Sequence, residues 1–120
     1  MSKQPGQQIY PGNTVGFEGD ASELSAGEWV EFDDGTVVSQ SEGEAVGVVS
    51  DQIPRDNQEH LPIPIHIGGV VVAEVTASAS AGDTEHDRHL LSDEGGAFKQ
   101  DDETVSDLSL PDGYAAVNLG

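Results

Sequence analysis

The chain has 120 residues, room for one domain with a single core, and carries 23 acidic side chains against 4 Lys and Arg, a formal charge of -19. That balance repels nucleic-acid phosphates and anionic lipid, so no nucleic-acid or membrane partner is expected. Cysteine is absent, which removes disulfides, thiolate metal sites and cysteine nucleophiles, and no apolar run approaches the roughly 18 residues of a membrane helix.

The acids are spread between apolar runs rather than massed in blocks, the pattern of a solvated surface. In several molar salt the Debye length falls to about 3 Å or less, so self-repulsion among surface carboxylates is screened and acidity costs little. This is the composition of a protein adapted to a salt-filled cytoplasm. A DNA mimic would instead need carboxylates at phosphate-like spacing on one face, and no such clustering is seen. Dilution into millimolar buffer separates the two: a salt-adapted chain loses its folded circular dichroism signal, a mimic keeps it.

In chain order, residues 1–12 hold three Gln, two Pro and two Gly, with Ile9 and Tyr10 as the only large apolar groups after Met1. That composition reads as an extended N-terminal arm that needs a partner surface to order, leaving residues 13–120 as the domain. The opening MSKQPGQQIY lacks the apolar stretch of a secretory signal, so synthesis in the cytoplasm is expected. Asn13–Phe17 reads as a first strand, and Asp20–Gly27 as a polar connection.

From Glu28 the chain reads EWVEFDDGTVV, a hairpin whose Asp34-Gly35 pair suits the positive φ values of a type I′ turn. Gly47–Ile53 reads as a short strand and residues 54–60 as an exposed loop. Leu61, Ile63, Ile65 and Ile67 alternate strictly with Pro62, Pro64, His66 and Gly68, so one face of this strand is core. Its prolines place the early part at an edge, a bulge or outside the ladder. After Gly68-Gly69, VVVAEV reads as a strand making a second hairpin-like unit. Residues 101–113 read as a polar connection and Tyr114–Leu119 as the closing strand.

The phrase SAGE at 25–28 returns as SAGD at 80–83. Each precedes an apolar pair, Trp29-Val30 and, after an added TEHDRH stretch, Leu90-Leu91. The two copies read as matching strand–turn–strand units opened by bends at Gly27 and Gly82. No window supports a helix of useful length. Many short strands joined by Gly-rich turns predict an all-β, single-domain barrel or sandwich of about seven to nine strands. The expected core is Val30, Phe32, Val37, Val48, Ile63, Ile65, Val70, Val72, Leu91, Phe98 and Val117.

The succession LSAGEWVEFDDGTVVSQ, EAVGVVSDQ, IPIHIGGVVVAEVTASASAGD, LLSDEGGAFKQ and YAAVNL resembles the head-decoration, or capsid-cement, proteins of tailed viruses over residues 13–119. The individual phrases are low in complexity; their order carries the likeness. TEHDRH and the extreme acidity depart from the usual pattern, and a virus of a salt-loving archaeon would require the acidity. The resemblance implies a β-barrel or β-tulip-like fold, a homotrimer, and a place on the outer surface of the virion, bound to the major capsid protein after synthesis in the host cytoplasm. It implies capsid stabilisation without catalysis. Within that expectation, Gln7, Gln8, Ile9 and Tyr10 are the capsid-binding arm and Trp29 is the candidate interface anchor, with core as its equal alternative.

The enzymatic rival is a small cupin-like barrel with a metal or small-molecule site. His86 and His89, with Asp83, Glu85 and Asp87, are the candidate cation ligands. The cluster has no distant partner at a recognisable spacing, so a solvated loop is the preferred reading and neither metal, other cofactor nor catalytic residue is expected. His66, on the polar phase of its strand, and His60 read as exposed or hydrogen-bonded side chains rather than general bases. Gly-rich stretches such as IGGVVV lead into no helix bearing Lys, which removes a phosphate cradle, and no GxSxG nucleophile elbow occurs.

Overall fold

The computed structural model describes residues 3–52, 62–76, 78–101 and 103–120. Its strands are β1 Gln8–Tyr10, β2 Thr14–Phe17, β3 Trp29–Asp33, β4 Thr36–Ser39, β5 Gly47–Val49, β6 Ile63–His66, β7 Val70–Glu74, β8 Thr84–Glu85, β9 Arg88–Leu90, β10 Ala97–Gln100, β11 Glu103–Asp107 and β12 Tyr114–Asn118. A single 3-10 turn, Ala21–Glu23, is capped by Asp20, whose carboxylate accepts from the Ser22 N–H. The chain is all-β, as its alternation and turn residues predict.

One antiparallel sheet runs β2-β6-β5-β3-β4. It curls until its two edges meet: beyond β2, Gly19 forms a parallel bridge with Val37 of β4, and the Val37 N–H donates to Glu18 O at 2.8 Å. The result is a small barrel closed by one contact. Leu24, Val30, Val37, Val49, Ile63 and Ile65 pack together inside it, each such side chain contributing about 1.5–3 kcal/mol on full burial. The β3–β4 turn has Asp34 at φ 52° and Gly35 at φ 84°, the backbone that the Asp-Gly pair predicts. Pro64 stands where the β5 ladder ends: its carbonyl accepts from Ser50 N–H, just past β5, and the return bond that an antiparallel pair would exchange is the one proline cannot donate.

The second sheet, β1-β7-β12-β9-β8, covers one outer side of the barrel. Trp29 and Val48 from the barrel pack there against Val71, Ala73, Leu90, Ala115 and Val117. Two glycines stitch the layers. Gly27 donates its N–H to Val49 O and accepts from Glu74 N–H, joining β5 to β7. Gly6 donates to Val72 O while its own carbonyl accepts from Asp51 N–H.

The SAG phrases prove to be one structural unit used twice. Glu28 N–H donates to Ser25 O and Asp83 N–H to Ser80 O, at 3.1 and 3.0 Å. In both, the acid reaches back to accept from the serine N–H, Glu28 at 3.0 Å and Asp83 at 2.8 Å. Gly27 and Gly82 sit at φ 84° and 94° in the third turn position, where a type II turn requires a left-handed residue. Gly27 and Glu28 then exchange bonds with Val49, as Gly82 and Asp83 do with Leu90. The bends therefore correspond, but the strands they open are β3 and β8. Leu90, expected to match Trp29, matches Val49 instead.

Several expectations are corrected. TEHDRH is no solvated insertion: it forms the β8–β9 hairpin, with His86 at φ 52° and Asp87 at φ 64° making a tight turn without glycine. Gly68-Gly69 does not close a hairpin, because β6 and β7 belong to different sheets. The stretch 101–113 contains β11, which pairs with β10 in a two-stranded ribbon, so twelve strands stand among the described residues. Phe32 is 50% exposed, near the hairpin tip, where its ring meets Phe17 edge to face at 5.1 Å. Val70, Leu91 and Phe98 are only half-buried, because Val70 opens its strand, Leu91 lies just past β9 and Phe98 belongs to the outer ribbon. Ile53, Leu61, His60 and the loop at 54–60 lie outside the described residues.

Candidate functional site

The N-terminal residues expected to wait for a partner are already part of the fold. Gln8 and Tyr10 of β1 pair with Val71 and Val70, and Val72 N–H donates to Gln7 O. The reason is the edge of β7: its other side is filled by β12, and residues 6–10 supply the hydrogen bonds for the side that remains. Among the described residues β1 is thereby the outermost strand of its sheet, with no strand paired on its far side, and Tyr10 stands 68% exposed on it.

His66 locks this segment to the barrel, a role its place on the polar phase of β6 did not disclose. It is buried, with Nε2 2.9 Å from Gly6 O and Nδ1 2.7 Å from the Thr14 hydroxyl. A carbonyl only accepts, so Nε2 carries the proton and Nδ1 accepts from Thr14. Burial lowers the imidazole below its ordinary value of 6.5, against the opposing pulls of the Gly6 carbonyl and the Asp51 charge. The neutral ring is the folded form, so the unfolded chain binds more protons as pH falls through 6.5. This contribution to stability is fully present above that pH and is lost on acidification towards the lowered folded value. Thermal melts from pH 7.5 to 5.5 are expected to show a falling midpoint that flattens in His66→Gln; an equal slope in both proteins would contradict the assignment.

Trp29 is core, not an exposed anchor. It is 4% exposed, and its Nε1 donates to Glu74 O at 2.6 Å across the two sheets. Its ring also meets His86, which with Glu85 is brought by the hairpin to a pocket. His86 lies with ring centroids 5.0 Å from Trp29 and pairs with Glu85 at 3.1 Å. Glu28, Gln40, Glu74, Val75 and Thr76 complete the lining of this cavity of about 290 Å³. The remaining candidates are dispersed: His89 is exposed on β9, Asp83 is engaged by Ser80, and Asp87 forms the turn. Among the described residues no group of three His, Asp or Glu is arranged to hold a metal ion.

Comparison of the chain with protein-family models, with curated proteins and with solved structures finds no match. Within the described residues, no helix is long and apolar enough to cross a membrane.

Proposed function

We propose that the chain is a structural virion protein, a trimeric decoration that binds the outer surface of an icosahedral shell of major capsid protein and stabilises it, in a virus of a salt-adapted archaeon. The reading rests on the order of phrases resembling capsid-cement proteins, and the observation that carries it is the open edge of β1. A strand held on one side by β7 offers its other side, with Tyr10 beside it, to a neighbouring chain. Binding only the assembled shell stabilises that state by linkage, and many copies on one shell act together. No chemistry is required of the chain.

Because residues 6–10 belong to the sheet, removing residues 1–12 would damage the fold as well as the contact. Tyr10→Ala is the cleaner variant. It is expected to keep the melting midpoint and to bind undecorated shells roughly thirtyfold more weakly, the loss typical of an aromatic interface anchor. Unchanged shell affinity would remove β1 from the contact.

The alternative, a salt-adapted barrel with a cation or small-molecule site, is favoured by the pocket where Glu85 and His86 meet Trp29. Calorimetric titration with zinc, manganese and calcium decides it: micromolar binding lost in His86→Ala would support that reading over the virion one.

A further inference from the structure

The barrel closes through one bridge, and past that bridge it gapes. β4 is bonded to β3 along one side. On its other side Gly19 touches it only at Val37, and the chain then turns away through Asp20 into the 3-10 turn. The orientation of the remaining edge follows from the ladder. Gln40 N–H donates to Trp29 O, and Val30 O is taken by Val46 N–H. Ser39, opposite Val30, therefore turns its N–H and C=O away from β3, as Val37 does when it donates to Glu18. Among the described residues, no backbone acceptor meets the Ser39 N–H.

Between these diverging walls runs a groove of about 820 Å³. Pro62 gives it exposed apolar surface, Leu24 and Val37 reaching it only with the little that the core leaves uncovered, while Glu18, Asp20 and Glu23 set carboxylates along the wall facing β4. Among the described residues no cationic side chain lines it. Strand edge, a small apolar patch at Pro62 and acidic rim together specify an occupant: an extended backbone with apolar side chains on one face and basic ones on the other. A second copy of this chain fits poorly, since each copy carries a charge of -19 and its Lys and Arg residues stand singly.

We propose that this groove takes an extended basic segment of another protein as an added strand on β4. Its backbone pairs with Ser39, its apolar face rests on Pro62 at the mouth of the core, and its Lys or Arg side chains meet Glu18 and Glu23. The site lies on the barrel sheet, whereas β1 is the edge of the other sheet. Shell binding and groove binding therefore stand or fall separately.

The probe is a capped octapeptide of alternating Lys and Val, titrated into the full chain at a salt concentration where it is folded, with backbone amide shifts as the readout. Saturable shifts are expected at Leu24 and at residues 38–40, with none from a Glu–Val octapeptide. Glu18→Gln with Glu23→Gln should weaken binding roughly tenfold. Glu103→Gln with Asp107→Asn, the same change in charge on the outer ribbon, should leave it unchanged. A Lys–Val peptide N-methylated at alternate amides should also bind more weakly. Absent shifts, shifts centred elsewhere, equal weakening by both double variants, or indifference to N-methylation would each overturn the assignment.

Discussion

Trp29→Ala is expected to lower the unfolding free energy by about 3–5 kcal/mol, the usual cost of truncating a buried Trp. Trp29 is the largest side chain in the layer between the two sheets, and its removal would leave a cavity that Val48, Val71 and Leu90 cannot fill without moving strands already bonded on both sides. The change also strips the Nε1 donor from Glu74 O. Trp29→Phe separates the two effects, since it keeps much of the apolar area while losing the donor, and should fall between wild type and Ala. Thermal or urea melts at fixed high salt provide the measurement. Unchanged stability with weakened self-association would return Trp29 to the role of interface anchor and contradict its placement in the core.

The second large effect is expected at Gly6. Its φ of 79° already disfavours any other residue, and a Cβ there would lie 2.5 Å from Val49 O, 2.8 Å from Asp51 N and 2.9 Å from Gly27 N, all backbone atoms. None of these atoms can swing aside as a side-chain end would. Gly6→Ala should therefore break the seam between the sheets, with a loss above about 4 kcal/mol, the range reserved for core damage. Gly82→Ala is the control. Gly82 has a comparable φ of 94°, but a Cβ there meets nothing within 4 Å, so only the left-handed backbone penalty of about 1–2 kcal/mol is expected. Similar losses at both positions, read from the same melts, would show that the close approach at Gly6 is not the cause.

Local signals in the sequence translate well into local structure here. The Asp34-Gly35 turn, the alternation through Ile63 and Ile65 and the two SAG bends each depend on a few adjacent residues, and each is found. What was illegible depends on partners. β6 and β7 follow one another closely yet enter different sheets, because the pairing of each strand is decided by segments far along the chain. β11 is exposed along its whole length, so no apolar phase marks it; its hydrogen bonds to β10 hold it in place. The β8–β9 turn adopts the backbone usually supplied by Asn-Gly with His86 and Asp87, which carry no such signature.

The candidate site divides in the same way. Tyr10 was legible as an exposed residue on an extended segment, but its anchorage was not, because β1 contributes backbone to an edge of β7 rather than side chains to a core. His66 shows the opposite case. It lies between Ile65 and Ile67 on the phase opposite to the core residues, which marks it as exposed or hydrogen-bonded without saying which. Burial comes instead from Gly6 and Thr14, residues far from it in sequence that pack over it. Trp29 had two readings because a lone Trp at the start of a strand serves an interface or a core equally well. The carbonyl of Glu74 on the opposite sheet decides between them.

The proposed decoration of capsid shells is tested most directly by mixing the purified protein with undecorated capsid shells in high salt and counting bound copies after sedimentation. Saturation is expected at a fixed number of copies per capsomer, with no binding to unassembled capsid protein and slower rupture of the decorated shells on heating. Folded protein that remains in the supernatant at saturating concentration, with shell rupture unchanged, would contradict it.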